Sequence, residues 1–231
     1  QEDLLKALAA TGTPIVLVLM NGSAVAVNWA AENAAAIVEL WYPGEEGGTA
    51  LANLLFGDTN PAGRLPVTFY KAVDDLPPFR DYAMEGRTYR YFRGQPLYPF
   101  GHGLSYTTFA YTTPVLSATT VRAGEPLTVT VTVQNTGEMA GDEVVQCYLK
   151  DQIASVPVPM QQLIGFERIN LAPGGTAEVS FEVTPAQMQV MLDDGRRVIE
   201  PGDFELFVGG GQPATEASGS YAKFQVVGPR A

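Results

Sequence analysis

The stretch Leu127-Thr128-Val129-Thr130-Val131-Thr132-Val133 alternates apolar and polar residues with strict period two and stops at Asn135-Thr136-Gly137. That is the signature of a strand with one face in a core and the other on a polar surface. Comparable runs follow at 144–149, 162–169, 177–183, 204–208 and 224–227, separated by turn signals such as Pro173-Gly174-Gly175 and Pro201-Gly202-Asp203. Residues 111–231 are therefore expected to form an all-β, immunoglobulin-like sandwich of seven strands. The Gly/Ser/Ala/Thr-rich stretch from Gly209 to Ser220 reads as a loose hairpin loop within it.

The first 70 residues follow a different rule. Glu2–Ala9 spaces Leu4, Leu5 and Leu8 as a helix does, and Ile15–Met20, bounded by Pro14 and Asn21-Gly22, reads as a strand buried on both faces. An alanine-rich helix is expected over Trp29–Ala36 and a second buried strand over Ile37–Trp41. Tyr42-Pro43-Gly44 breaks that strand, and a helix opening across Glu45–Thr49 runs to Phe56 and stops at Gly57. Alternating strand and helix point to a parallel α/β sheet, but so few strands cannot cover both of its faces. Residues 1–70 are thus expected to be an incomplete part of an α/β domain. Residues 71–110 are aromatic-rich and irregular and include Arg80, Arg87, Arg90 and Arg93, which suits a linker wrapping between domains better than a solvated tether.

Charge and rare residues narrow the chemistry. The 25 acidic residues outweigh the 14 basic ones for a net charge of −11, so nucleic acid and anionic membrane surfaces are excluded as expected partners. The longest apolar run, Ile15–Met20, is far short of the roughly 20 residues a membrane helix needs. One cysteine, Cys147, permits no internal disulfide, and one histidine, His102, permits no multi-histidine zinc site. Glu45 and Glu46 are neighbours that point about 100° apart on a helix, so they fit the positive helix N-terminus rather than an acid/base pair flanking one bond. The glycines of Gly44-Glu45-Glu46-Gly47-Gly48 match no phosphate loop, and two acids there would repel phosphate. His102 reads as a packed linker histidine and Cys147 as a buried strand residue, while Ser23 and Ser105 lie in no nucleophile elbow. No metal site and no cofactor are implied.

Three ordered motifs add a resemblance. Asn21-Gly22-Ser23-Ala24-Val25, Trp41-Tyr42-Pro43-Gly44-Glu45-Glu46-Gly47-Gly48 and Phe56-Gly57-Asp58-Thr59-Asn60-Pro61-Ala62-Gly63-Arg64-Leu65-Pro66-Val67-Thr68-Phe69 closely resemble the later part of the second domain of glycoside hydrolase family 3. Gly86-Arg87-Thr88-Tyr89-Arg90-Tyr91-Phe92 and Pro96-Leu97-Tyr98-Pro99-Phe100-Gly101-His102-Gly103-Leu104-Ser105-Tyr106-Thr107-Thr108-Phe109 resemble the segment leading into that family's fibronectin type III-like domain. Glu45 stands where members often carry glutamine. The resemblance implies a retaining exo-β-glycosidase, a β-glucosidase or β-xylosidase, with a slight lean in the Gly86–Phe92 wording toward the xylosidase branch.

In that family the nucleophile is an aspartate of a barrel domain and the acid/base is commonly a glutamate upstream of the position of Asn21-Gly22. The resemblance therefore transfers no catalytic residue to this chain. It implies a C-terminal portion, inactive alone, whose partner is the N-terminal portion of the same enzyme and whose substrate is a small oligosaccharide or glycoside. The family's usual setting is secreted or periplasmic. Trp41 and Tyr42 are the expected substrate-proximal residues, because ligands gather beyond the carboxyl ends of parallel strands. The alternative is a stand-alone carbohydrate-binding or scaffolding module, which would need exposed, coplanar aromatics on the sandwich.

Overall fold

In the computed structural model, which describes residues 1–230, the chain forms two units. The first takes Gln1–Thr59, Pro66–Thr88 and Phe92–Phe100, and the second takes Asn60–Leu65, Tyr89–Tyr91 and the chain from Gly101 onward. The aromatic-rich segment 71–110 is thereby divided between them.

The first unit begins with α1 (Glu2–Ala9), whose Glu2 and Asp3 sit in the first turn and Lys6 in the last, complementing the helix dipole. β1 (Val16–Leu19) leads to α2 (Asn28–Asn33) and then to β2 (Ala36–Glu39), which pairs with β1 in parallel. α2 stops short of the Trp29–Ala36 run that alanine propensity favours. Ala34 turns extended, and the N–H of Ala35 donates to the Ile15 carbonyl at 2.8 Å, so strand pairing overrides a weak local preference. α3 (Gly47–Phe56) ends where expected, at Gly57, whose φ of +81° suits a residue without Cβ. Among the described residues of this unit, Ala30 and Phe69 are the buried apolar ones, while Leu4, Leu8, Val16, Met20 and Phe56 are exposed, Phe56 by 85%. α4 (Thr88–Tyr91) follows in the chain, with Tyr89–Tyr91 counted in the second unit.

The second unit is built on two sheets. One has the order β5 (Thr120–Arg122), β13 (Gly219–Val227), β12 (Gly202–Gly209), β7 (Gly141–Asp151), β8 (Gln162–Leu171). The other centres on β6 (Leu127–Asn135), which pairs with β9 (Thr176–Val183) on one side and with β3 (Phe109–Tyr111) and β4 (Val115–Leu116) on the other. A hairpin of β10 (Gln189–Met191) and β11 (Arg197–Ile199) stands apart from both. The two sheets thus hold nine described strands rather than the seven expected from sequence. Six of them contain the runs picked out from sequence; the other three, β3, β4 and β5, have two or three residues each, too few to show a period. Leu127, Val129, Val131 and Val133 of β6 enter the core with Val145, Cys147, Leu149, Phe204, Leu206 and Val208. Burial of each such side chain is worth about 1.5–3 kcal/mol.

A polar cluster joins Asn60–Leu65 to this sandwich. Arg64 Nη2 lies 2.9 Å from a carboxylate oxygen of buried Glu143, whose other oxygen accepts from the Tyr111 hydroxyl at 2.7 Å. Arg64 Nε also donates to the Gly210 carbonyl at 3.1 Å, so the start of the Gly209–Ser220 stretch is held rather than loose. Asn60 Oδ1 accepts from Ser105 Oγ and from the Tyr106 N–H, both at 2.9 Å, and the Leu65 N–H donates to the His102 carbonyl at 2.9 Å. Burial raises the Glu143 carboxyl above the usual carboxylate range against the opposing pull of Arg64 and Tyr111.

Removing Arg64 strands a buried negative charge. Arg64→Ala is expected to destabilise the second unit by about 3–5 kcal/mol near neutral pH in urea denaturation. Because an unpaired Glu143 titrates at still higher pH than in the unfolded chain, its neutral form is favoured in the fold; the loss should shrink when measured at pH 4. Cys147, pushed up to about 12 by burial, is expected to react with a thiol reagent at pH 8 only after unfolding, so that native protein shows no titratable thiol and denatured protein shows one.

Candidate functional site

β1 and β2 end side by side, Leu19 opposite Glu39, and the loops that leave this carboxyl edge carry Asn21-Gly22 and Trp41-Tyr42. The edge of a parallel sheet is where ligands gather, because the loops there converge on one crevice. The two loops are tied by a carboxylate. Glu39 Oε2 accepts from Asn21 Nδ2 at 3.2 Å and Glu39 Oε1 accepts from the Trp41 backbone N–H at 3.0 Å. Asn21 Nδ2 also donates to the Ser23 carbonyl at 2.7 Å, while Asn21 Oδ1 is buried with no hydrogen-bond partner among the described residues.

Trp41 has φ +54°, a left-handed conformation that bulky residues rarely adopt. Its indole packs edge-on against buried Phe69, with ring centroids 6.2 Å apart at 64°, and Phe69 in turn meets Tyr98 at 6.2 Å and 66°. Tyr42 projects outward, 76% exposed. Its ring passes so close to Gly22 that a Cβ there would lie 2.7 Å from Tyr42 Cε2, so the absence of a side chain at Gly22 is what admits the ring. Trp41 and Tyr42, both singled out from sequence, therefore share one corner. Glu39 was not singled out; the only signal was an acid closing an otherwise apolar strand.

The remaining sequence candidates lie elsewhere. Glu45 and Glu46 are exposed at the start of α3, Glu46 as its N-cap residue without a side-chain cap bond. His102 belongs to the second unit; burial, aided by the charge of Arg64, holds its imidazole below the usual histidine range and favours the neutral form. Ser105 Oγ is engaged with Asn60, and Cys147 lies in the sandwich core. Among the described residues no three His, Cys, Asp or Glu side chains converge as a metal site would require. On the sandwich, Tyr148, Phe204, Phe207 and Phe224 are buried. Phe166 and Tyr221 are exposed but stand on β8 and β13 with β7 and β12 between them, which makes no single aromatic platform.

Residues 1–106 match the glycosyl hydrolase family 3 C-terminal domain, and residues 143–212 match a fibronectin type III-like domain. The chain is 42% identical over 221 residues to a β-xylosidase of Formosa agariphila, covering 94% of this chain and 31% of that protein. It is 43% identical over 221 residues to a periplasmic β-glucosidase of Salmonella typhimurium, covering 90% of this chain and 29% of that protein. The chain belongs to glycosyl hydrolase family 3. Of this family it carries the C-terminal region, an α/β part followed by the fibronectin type III-like sandwich. Solved β-glucosidase structures superpose over nearly all of it. A β-glucosidase from Erythrobacter marinus matches with a TM-score of 0.85 and 39% identity, covering 97% of this chain and 30% of that one. A β-glucosidase from Listeria innocua in complex with glucose matches with a TM-score of 0.86 and 33% identity, covering 98% and 32%. The chain thus spans less than a third of the length of each of these proteins. Among the described residues no helix is long and apolar enough to cross a membrane.

The Gly22–Tyr42 contact is directly testable. Gly22→Ala is expected to swing the exposed Tyr42 ring aside, at a stability cost of about 1 kcal/mol or less. Nuclear Overhauser contacts between the Tyr42 ring and residue 22 should be lost, while those between Trp41 and Phe69 persist.

Proposed function

We propose that this chain is the C-terminal portion of a retaining exo-β-glycosidase, a β-glucosidase or β-xylosidase, and that the two catalytic carboxylates belong to polypeptide outside it. The observation that carries this reading is the uncovered first unit. Its two parallel strands hold no fully buried residue, whereas strands of a parallel sheet are ordinarily covered on both faces. The names of the relatives and the share of their length that this chain spans supply the cover: a catalytic portion large enough to pack against that sheet.

In this reading residues 1–70 complete the α/β domain, the aromatic segment 71–110 braces it, and the sandwich from residue 111 is structural. Hydrolysis with retention needs one carboxylate to attack the anomeric carbon and another, about 5 Å away, to give and then take a proton. The contribution of this chain is to hold the carboxyl edge of β1 and β2, with Trp41 and Tyr42 as the side chains nearest the glycoside. A periplasmic or secreted setting is supported by the periplasmic Salmonella relative. The partner is the N-terminal portion of the same enzyme, and the substrate is a terminal β-linked glucoside or xyloside.

The chain alone is expected to release no nitrophenol from aryl β-glucoside or aryl β-xyloside. A chimera in which it replaces the matching region of the Salmonella enzyme is expected to hydrolyse one of them. Hydrolysis by the lone chain, or an inactive but folded chimera, would contradict the reading.

A further inference from the structure

We propose that Glu39 is a positioning residue, a carboxylate clasp that ties the loop after β1 to the loop after β2 and holds the Trp41–Tyr42 corner in place. The inference deepens the glycosidase reading and rests on it for its kinetic consequence alone.

Glu39 is the last residue of β2, following Ile37 and Val38, at the point where the chain leaves the sheet. An acid there is not needed for pairing, because its backbone already lies opposite Leu19. What the side chain does is accept two N–H groups from two different loops, one on each oxygen: Asn21 Nδ2 at 3.2 Å and the Trp41 N–H at 3.0 Å. Hydrogen bonds to an ionised acceptor are the stronger kind, and a carboxylate is the one side chain of this length with two acceptor oxygens and no donor.

The Trp41 N–H bond matters most because Trp41 is left-handed, at φ +54°. Such a conformation persists in a bulky residue only where its surroundings over-determine it. Here two restraints act on it: the clasp on its N–H, and Phe69 beneath its indole. The left-handed step turns the chain at the sheet edge, so that Tyr42 folds back over Gly22 of the other loop and remains exposed. Glu39 and the Tyr42–Gly22 contact thus join the same two loops. Neutral glutamine keeps one carbonyl acceptor for the Trp41 N–H but puts a donor where Asn21 Nδ2 donates, whereas alanine removes both acceptors.

The test uses the full chain and the chimera described above. The chain has two tryptophans, Trp29 and Trp41, so Trp29→Phe leaves Trp41 as the sole indole reporter. In that background Glu39→Ala is expected to raise the acrylamide quenching constant of Trp41 about twofold, and Glu39→Gln to reverse at least half of that rise. In the chimera, Glu39→Ala is expected to raise KM for the aryl glycoside about tenfold while kcat stays within about threefold, with Glu39→Gln intermediate. Unchanged quenching in Glu39→Ala overturns the clasp whatever the activity. Increased quenching with KM unmoved, or equal damage from alanine and glutamine, overturns the positioning role. If the unsubstituted chimera fails to hydrolyse glycosides while the quenching pattern appears as expected, the clasp is supported and the glycosidase reading fails.

Discussion

A carboxylate cannot remain charged inside a sandwich without a cation brought to it. Glu143 lies buried on β7, and the cation that meets it, Arg64, comes from a part of the chain nearly eighty residues upstream. That requirement draws Asn60–Leu65 out of the sequence neighbourhood of α3 and into the second unit. Once there, Arg64 also takes the Gly210 carbonyl, and Gln146 Nε2 donates to Gly101 and Gly210 carbonyls at 3.2 Å each. Tyr148 closes the group by donating to Gln146 Oε1 at 2.6 Å. Glu143, Gln146 and Tyr148 thus make a buried polar group along β7, and the sandwich is a discontinuous unit that includes the segment Asn60-Pro61-Ala62-Gly63-Arg64-Leu65.

The first unit has no comparable centre. Its order comes from local devices and from edge-to-face ring contacts: Trp41 with Phe69, Phe69 with Tyr98, and Tyr70 with Phe92 at 4.9 Å. Arg87 organises the loop before α4 by donating to the carbonyls of Pro78, Asp81 and Ala83, which leaves Phe79 and Tyr82 on display at 94% and 91% exposure. Exposed rings and strands without fully buried residues in one unit make the kind of apolar surface that a partner covers.

Sequence patterns exposed what depends on neighbours and hid what depends on distance. The alternation of β6, the turn at Pro173-Gly174-Gly175 and the glycine stop of α3 are decided within a few residues, so each was legible. β3, β4 and β5 were not, because two or three residues carry no period and their pairing is chosen by β6 and β13. The alanine run after Trp29 misled for a related reason: Ala35 and Ala36 are claimed by Ile15. At the carboxyl edge the aromatic corner was visible as a strand broken by Tyr42-Pro43-Gly44. Glu39 was not, since its partners Asn21 and Trp41 are set by strand register and a left-handed residue.

β13 comes latest in sequence among the described strands, yet it lies inside its sheet, antiparallel to β12 and parallel to β5 some hundred residues upstream. Until it arrives, β12 and β5 are both open edges, able to recruit stray strands. The sandwich therefore cannot close before β13 is in place, and that closing step joins residues about a hundred positions apart, the kind of long-range pairing that slows folding. A chain lacking Gly219–Val227 would hold a sheet with a gap through its middle instead of one missing a fringe.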